Sequence, residues 1–501
     1  MGDNGLLVQY FNANTPADQT LWTQAVKDAP VLKKMGATAV WFPPATKAAR
    51  GKDDVGYATY DLYDLGEFNQ KGSVATKYGT KEEYLAAIKA MKAAGIDVYA
   101  DVAVRQKLGA DKIEAVSAND FNGRPGPQMI GNKRTVGALS KFTFPGRKSK
   151  YSKFKWNWQH FEKIDWKQDE FRQRVIELAG MDPEKAAKEF SKYDYIIGSE
   201  LDLYNQEVYD ELMNWAAWYE TMTGVDGFRF QEAEYVPGWF IKDFSLAAAH
   251  AEKSKVDIEA EQGVKAAGEP KNIFVVGDFW HWNKDYLNGY IDSTEGKAAM
   301  FDVPLHFNFH DCSYDEGDYD LSRLLDGSLM MSNPTKAVTF VDNHESQPGG
   351  ILESDVREWF KPLAYAIILL REQGYPCLFM GDYQGIAAVK VKSKKTILNK
   401  LLKLRKKYAY GVQHDYFDHP DVVGFTREGD AEHPDSGLAV VMSDGVGGTK
   451  RMYVGRQYAG CHFADVMGNA KYDIKIDDEG CGEFYVNRQG VAVWIKKGCK
   501  L

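Results

Sequence analysis

The sequence predicts an α/β fold: a (β/α)8 barrel with a domain inserted after its third strand and a C-terminal antiparallel β domain. Short apolar runs alternate with segments whose apolar residues recur every three or four positions, a pattern typical of parallel strands with helices outside. The alternation stops between residues 105 and 206 and then resumes. After residue 410, short runs of alternating polarity replace it, which favours antiparallel strands.

Eight apolar runs give the predicted barrel strands: Leu6–Phe11, Ala37–Phe42, Ile96–Val104, Val225–Phe230, Ile273–Val276, Met300–Val303, Ala337–Val341 and Cys377–Met380. Helices are predicted over 21–35, 81–94, 207–221 and 397–407. Gly36 and Gly95 follow the first two, where a residue in the left-handed region commonly ends a helix. Eight such strand–helix units predict a closed barrel rather than an open sheet.

The predicted domain limits lie where the alternation of strands and helices stops or resumes. A stretch as long as 105–206 without strand–helix alternation is better explained by an inserted domain than by a loop. We therefore expect a barrel over 1–104 and 207–409, an inserted domain over 105–206 and a C-terminal β-sandwich over 410–501.

Composition excludes several classes of protein. The 501 residues include 62 Lys and Arg against 71 Asp and Glu, a net charge of −9, so nucleic acid is not an expected partner. The longest apolar tract, Leu363–Leu370, is far shorter than the roughly 20 residues of a membrane span and reads as a core helix.

The N-terminus and the cysteines leave alternatives open. Met1 to Gly5 lead straight into the first predicted strand with no visible signal peptide, so the protein is expected to be cytoplasmic, or secreted with its signal removed. The five cysteines are an odd number, which favours free thiols over a disulfide framework.

Four segments lie at the C-terminal ends of predicted strands, where the side chains of such barrels face their ligands. They are Asp101–Gln106, Gly227–Gln231, Gly277–Trp280 and Phe340–Glu345. In this order they resemble the four motifs of the α-amylase family, glycoside hydrolase family 13. Val55–Tyr57, Tyr60–Phe68, Lys77–Thr80 and Gln413–Asp418 resemble the liquefying type of bacterial α-amylase, and the likeness covers nearly the whole chain.

The resemblance implies three catalytic carboxyl groups that this chain has altered. The family is retaining, with a carboxylate nucleophile and a carboxylic acid about 5 Å apart. Its Asp nucleophile, Glu general acid and Asp transition-state stabiliser correspond here to Gln231, Asp278 and Glu345. A neutral amide is a poor nucleophile, Asp278 is one methylene short, and Glu345 is one methylene long.

We therefore predict a catalytically inactive or severely impaired homologue, a pseudoenzyme that keeps weak binding of an α-glucan or another ligand. The alternative is an active α-glucan hydrolase, a retaining endo-1,4-α-glucanase, or a transglycosylase with a rearranged catalytic site. Glu232 is the obvious replacement carboxylate, but strand alternation predicts that it points away from the face of Arg229 and Gln231.

Candidate substrate-binding residues can offer flat apolar faces or hydrogen bonds to a sugar. They are Gln9, Tyr57, Arg229, Trp280, His344 and Gln347. Alternatively, these side chains serve packing and buried hydrogen bonds. The expected partner is an α-glucan or another small molecule, and a protein partner is left open.

The resemblance also implies a calcium site, formed by an Asn after the third strand and by Asp residues of the inserted domain. Here Arg105 takes the Asn position, and a guanidinium donates hydrogen bonds but ligates no metal. We predict no metal at this site, no cofactor, calcium independence, and Arg105 beside Asp194 instead. The alternative is a solvent-exposed Arg105.

Overall fold

The computed structural model describes residues 4–122, 134–169, 172–178, 198–250 and 271–501. Eight parallel strands close into a barrel in the order β1-β8-β7-β6-β5-β4-β3-β2, which confirms the predicted fold class. The strands are β1 Leu7–Gln9, β2 Ala39–Phe42, β3 Asp97–Val102, β4 Gly227–Phe230, β5 Phe274–Gly277, β6 Ala299–Phe301, β7 Ala337–Phe340 and β8 Tyr375–Phe379.

Helices pack outside the barrel. The longer ones are Leu21–Met35, Lys81–Ala93, Gln206–Thr223, Gly238–Ala249, Lys284–Ser293, Val303–Tyr314, Lys361–Leu370 and Lys395–Tyr408, with short helices at Leu329–Ser332 and Met380–Gln384. One apolar core fills the barrel around Leu7, Trp41 and Phe340, and a larger one lies between strands and helices. Because both faces of each strand are covered, the strands read as continuous apolar runs.

The predicted strands differ from the observed ones mainly at their ends. The first was predicted over Leu6–Phe11 and pairs only over Leu7–Gln9. Leu6 and Tyr10 are buried although they lie outside the paired segment. Apolar character therefore marks burial beyond the point where strand pairing stops.

The predicted helix stops have the expected backbone geometry. Gly36 ends the first helix in the left-handed region, with φ of 96°. The helix Lys81–Ala93 begins with a capping box in which the Glu83 carboxylate accepts from the Thr80 backbone N–H at 2.8 Å.

The inserted region contains regular structure that the sequence analysis did not predict. Within its described residues, six antiparallel strands form one sheet, in the order Gln106–Lys107, Ser199–Leu201, Phe161–Asp169, Arg172–Leu178, Lys112–Asn122 and Arg134–Lys141. We keep 105–206 as the proposed limits of this domain. A separate two-stranded sheet, Lys47–Ala48 with Thr59–Asp61, lies in the segment between β2 and β3.

The C-terminal region is antiparallel, as predicted. Its larger sheet has the order Gln413–Tyr416, Val422–Arg427, Leu438–Ser443, Gly490–Lys496, His462–Asp465 and Ile474–Lys475. Gly447–Tyr453 pairs with Cys481–Asn487 beside it, and an apolar core around Trp494 and Phe484 joins the layers. We keep 410–501 as the proposed limits of this domain.

Two further expectations concern single features. All five cysteines lie in the described part of the chain and are free thiols. Of the helices that the structure describes, none is long and apolar enough to cross a membrane.

Candidate active site

The ends of β3, β4, β5 and β7 bring charged side chains together at one mouth of the barrel. Asp101 and Arg229 are direct partners in the β3–β4 pairing, so both side chains point into the barrel. Asp278 follows β5 directly and Glu345 lies in the loop after β7. Parallel strands that close into a ring therefore place residues from distant parts of the chain in one site.

Arg229 is the centre of this site. Its side chain is fully buried, and one guanidinium nitrogen bonds the two Asp101 carboxylate oxygens at 3.0 and 3.2 Å. Its other terminal nitrogen bonds Asp278 Oδ2 and lies 3.7 Å from Glu345 Oε1. One buried cation thus holds three carboxyl groups around it.

Gln231 lies beside this cluster, immediately past the end of β4. Its backbone N–H donates to the Val102 carbonyl at 3.0 Å, which fixes the chain at that point. Two of the three predicted catalytic positions, Asp278 and Glu345, therefore share Arg229, while the neighbouring Gln231 brings an uncharged amide.

Burial changes the proton affinity of the carboxyl groups in the site. Burial, together with the negative charge of Asp278, raises the pKa of Glu345 well above its ordinary value, although Arg229 opposes the shift. Burial also raises the pKa of Glu234 to about 8. Glu234 Oε2 and Asp278 Oδ1 are buried and accept no hydrogen bond from the residues that the structure describes.

A chain of hydrogen bonds lines the site next to Arg229. Gln9 Nε2 donates to His344 Nδ1 at 3.0 Å, so the neutral imidazole carries its proton on Nε2. His344 Nε2 then donates to the Tyr57 hydroxyl at 2.8 Å, and Tyr57 donates to Asp101 Oδ2 at 2.8 Å. Burial lowers the pKa of His344 well below its ordinary value, which keeps the ring neutral. Gln9, Tyr57 and His344 therefore position one another.

The remaining two predicted binding residues are less available than expected. Trp280 is half-buried and packs against the rings of His306, Phe307 and Phe340 at centroid distances of 5.5, 6.0 and 6.1 Å. Gln347 is buried; its side chain accepts from the Ala13 backbone N–H at 3.1 Å and donates to Asn14 Oδ1 at 2.8 Å. Both hold loops at the mouth of the barrel.

The structure corrects the reason given for Glu232. The residue lies beyond the last paired residue of β4 and has φ of 48°, so strand alternation does not determine its direction. Its carboxylate instead bonds Arg105 at 2.9 Å. Glu232 is therefore committed to an ion pair outside the Arg229 cluster.

Arg105 is buried, so the alternative of a solvent-exposed side chain is wrong. Besides Glu232 it bonds Glu200 at 2.9 Å, and Lys163 bonds the other oxygen of Glu200 at 3.2 Å. Burial favours neutral Glu200, but Arg105 and Lys163 hold the pKa of Glu200 below its ordinary value. Asp194, the predicted partner of Arg105, lies outside the described residues.

Two functional candidates were missed by reasoning from the sequence. Glu234 was not among the predicted site residues, and the burial of its Oε2 near the charge of Asp278 could not be deduced from a loop sequence. Trp282 is 70% exposed, two residues after the half-buried Trp280. The sequence signal for Trp282 was a second tryptophan in the same loop as Trp280.

Comparisons with known proteins agree with this geometry. The model of the α-amylase catalytic domain matches residues 26–415, and that of the α-amylase C-terminal domain matches residues 438–495. A solved structure of the α-amylase from Geobacillus thermoleovorans, complexed with acarbose, covers 99% of both chains with a TM-score of 0.62 at 16% identity, a likeness of fold alone.

Two relatives are similar along almost the whole sequence. An α-amylase from Geobacillus stearothermophilus is 44% identical over 497 residues, covering 99% of this chain and 87% of the relative. A glucan 1,4-alpha-maltohexaosidase from Bacillus sp. (strain 707) is 43% identical over 500 residues, covering 99% and 93%.

These relatives contradict the prediction of a catalytically inactive homologue, since both are named as enzymes and resemble this chain from end to end. The prediction counted the lost carboxylate at Gln231 and the changed side-chain lengths of Asp278 and Glu345 as disabling, although the last two remain carboxyl groups. Asp278 and Glu345 are buried at the barrel mouth, one carboxylate oxygen of the nearby Glu234 is buried as well, and the three groups are ionisable. With the matches spanning both the barrel and the C-terminal domain, the chain belongs to the α-amylase family.

Proposed function

We propose that the chain is an active α-glucan hydrolase with a rearranged catalytic site, in which Asp278 and Glu345 are the two catalytic carboxyl groups. The observation that carries the proposal is that both contact one nitrogen of the buried Arg229. The names of the relatives support an α-1,4-glucan as substrate, and the acarbose bound by a protein of the same fold supports a carbohydrate in the barrel mouth.

The spacing of the two carboxyl groups favours a retaining reaction. Asp278 Oδ2 hydrogen-bonds the Arg229 nitrogen from which Glu345 Oε1 is 3.7 Å away. The two oxygens are therefore closer than the roughly 6.5–9.5 Å that separates the carboxyl groups of inverting enzymes. Retaining pairs are about 5–5.5 Å apart.

The environments of the two groups suggest their roles. Glu345, whose pKa is raised, is the group that holds a proton for the glycosidic oxygen as the bond to C1 breaks. Asp278, paired with Arg229, is the carboxylate that adds to C1 and forms a glycosyl ester. A water then attacks C1, gives its proton to Glu345 and releases Asp278. A sugar hydroxyl in place of water would make the same site a transglycosylase.

The hydrogen-bonded chain supports this site rather than reacting. Gln9, His344 and Tyr57 hold Asp101, and Asp101 holds Arg229. Gln9 Oε1 is buried and accepts no hydrogen bond from the described residues, so Gln9 acts on the substrate through His344 rather than by contact. We assign substrate positioning to Gln9, Tyr57, His344, Trp280 and Gln347.

The experiment is hydrolysis of a chromogenic maltooligosaccharide by the wild-type chain and by Asp278→Asn and Glu345→Gln. Glu345→Gln should lower kcat by roughly 10²–10⁴, the contribution of a positioned acid or base, and Asp278→Asn by up to about 10⁶, the cost of removing a nucleophile. Asp311→Asn, a 66% exposed carboxylate, is the matched control and should change nothing. No turnover by the wild-type chain would refute the function, and unchanged turnover in either site variant would refute the assigned roles. Longer products in the presence of maltose would indicate transglycosylation.

We also propose that ion pairs replace calcium where the inserted domain meets the barrel. Arg105 and Lys163 are buried cations that both bond Glu200, and neither can ligate a metal. The described residues therefore do not fit the calcium site that the family resemblance implies. A chelator should leave the melting temperature unchanged, because no metal is expected to stabilise this junction. A metal bound only to the folded chain would instead add stability, which the chelator would remove. A fall of several degrees would contradict this.

A further inference from the structure

Three aromatic rings stand in a row just beyond Asp278. The indole of Trp282 is 70% exposed and the ring of Tyr286 is 48% exposed. His281 lies between them, with its ring centroid 5.7 Å from Trp282 at 19° and 4.2 Å from Tyr286 at 33°. We call these three residues the aromatic platform. An indole this exposed is unusual, because large aromatic side chains are mostly buried.

The platform is held in place by its backbone. His281 Nδ1 accepts from the Asn283 N–H at 3.0 Å, and the His281 N–H donates to the Phe279 carbonyl at 2.9 Å. The Asn283 side chain caps the helix Lys284–Ser293 by accepting from the Asp285 N–H at 2.8 Å. Tyr286 is on the first turn of that helix. The rings are therefore presented by a fixed turn and a helix rather than by a free loop.

The position of the platform ties it to the candidate active site. Trp282 is four residues from Asp278, and four residues span at most about 14 Å. Trp280, between them, anchors the loop by packing inside on His306. The exposed rings thus lie at the rim of the same barrel mouth, within reach of a chain that leaves the catalytic carboxyl groups.

The size and charge of the platform favour a sugar chain over a protein. Three rings cover far less than the roughly 800 Å² that each partner buries in a stable protein interface. The exposed charges beside them, Lys284 and Asp285, pair with each other at 2.5 Å, so the surface suits a neutral ligand. Flat aromatic faces complement the apolar C–H faces of pyranose rings.

We propose that Trp282, His281 and Tyr286 bind an α-glucan chain extending from the active site, an inference that rests on the proposed function. The platform selects for long glucans, because only a chain that reaches past the catalytic carboxyl groups touches it. A short maltooligosaccharide confined to the Arg229 cluster gains nothing from it.

The test is affinity electrophoresis in native gels that contain soluble starch, which needs no turnover. Trp282→Ala should bind starch roughly two- to tenfold more weakly, the range expected for a lost ring contact. Trp282→Phe keeps a flat ring and should recover most of the affinity. Tyr472→Ala, which removes a 55% exposed ring from the C-terminal domain, is the matched control and should migrate as the wild type.

The outcomes separate this proposal from the proposed function. If Trp282→Ala binds starch as tightly as the wild type, the proposal that the aromatic platform binds glucan is wrong, whether or not the chain hydrolyses glucan. An equal loss in Tyr472→Ala overturns it as well, since the effect would then be a general property of exposed rings. Loss confined to Trp282→Ala in a chain without measurable hydrolysis upholds the platform as a glucan site and overturns only the function. In an active chain, Trp282→Ala should raise KM for starch and leave kcat on a chromogenic trisaccharide unchanged.

Discussion

At the scale of single residues, the roles of Glu345 and Asp278 can be separated by the leaving group of the substrate. In maltosyl fluoride the leaving group is fluoride, which needs no proton, so an enzyme lacking its general acid still forms the glycosyl ester. Glu345→Gln should therefore lose roughly 10²–10⁴ in kcat on a maltooligosaccharide but release the first equivalent of fluoride at close to the wild-type rate. Later turnovers should be slow on both substrates, because the attacking water then lacks Glu345 as its base. Asp278→Asn should lose activity on both. A first release of fluoride that is slowed as much as kcat on the maltooligosaccharide would contradict the role of Glu345 as the acid.

Glu234 makes a prediction about stability that does not depend on activity. A carboxyl whose pKa is about 8 when folded and near 4.3 when unfolded binds more protons in the folded protein between those values. Its contribution to stability is therefore full at acid pH and is lost as pH rises toward 8. Glu234→Gln mimics the protonated form and cannot lose a proton.

The variant should match the wild type in urea unfolding at pH 4.5 and exceed it at pH 8.5, by an amount on the order of a few kcal/mol. Groups other than Glu234 titrate in both proteins and cancel in the difference. The same difference at both pH values would show that Glu234 does not carry a buried proton.

Residue types at the strand ends could be predicted from the sequence, but their surroundings could not. Gln231, Asp278 and Glu345 were expected after the ends of predicted strands, and they follow β4, β5 and β7 in the structure; their catalytic roles stay a prediction. Which of two tryptophans in one loop is exposed depends on the rings of His306 and Phe340, which come from distant segments.

At the scale of elements, Arg105 joins the inserted sheet to the barrel. It connects Glu200, on the strand Ser199–Leu201, to Glu232 after β4. Arg105→Leu would leave Glu232 without this cation and Glu200 with Lys163 alone. Removing one partner of a buried ion pair typically costs about 3–5 kcal/mol.

We therefore expect Arg105→Leu to lower the free energy of unfolding by about that amount in denaturant titration. The control is Arg323→Leu, which breaks a pair whose side chains are 72% and 67% exposed and should cost less than about 1 kcal/mol. Similar losses in the two variants would argue that the Arg105 pairs contribute no more than a surface contact.

Elements with a strong period were predictable and those without one were not. The helix Leu21–Met35 was predicted to the residue because its apolar face and Gly36 agree. The strands Lys112–Asn122 and Arg134–Lys141 were missed, because mixed polar sequence carries little alternation for a sheet that is exposed on part of its surface. Leu139 and Ile113, for example, are 59% and 67% exposed on paired strands.

At the scale of the whole molecule, closure of the barrel brings several carboxyl groups to one site, so that the loss of one leaves others for catalysis. Arg229 is bonded by groups that lie on or after three different strands, and Gln9 on the first strand joins the same cluster through His344. The fold thus keeps several carboxyl groups within reach of one cation. Gln231 stands where the family resemblance implies an Asp, so one carboxyl group is missing from the site. Asp278 and Glu345 remain in contact with Arg229.

The most direct test of this site is to trap its covalent intermediate. A maltosyl fluoride with a second fluorine on the reacting ring forms a glycosyl ester that hydrolyses slowly, and mass spectrometry of peptides locates the ester. We predict a label on Asp278 in the wild-type chain and none in Asp278→Asn. A label on Glu345, Glu234 or Glu232, or a wild-type chain that takes no label and does not turn over glucan, would contradict the proposed site.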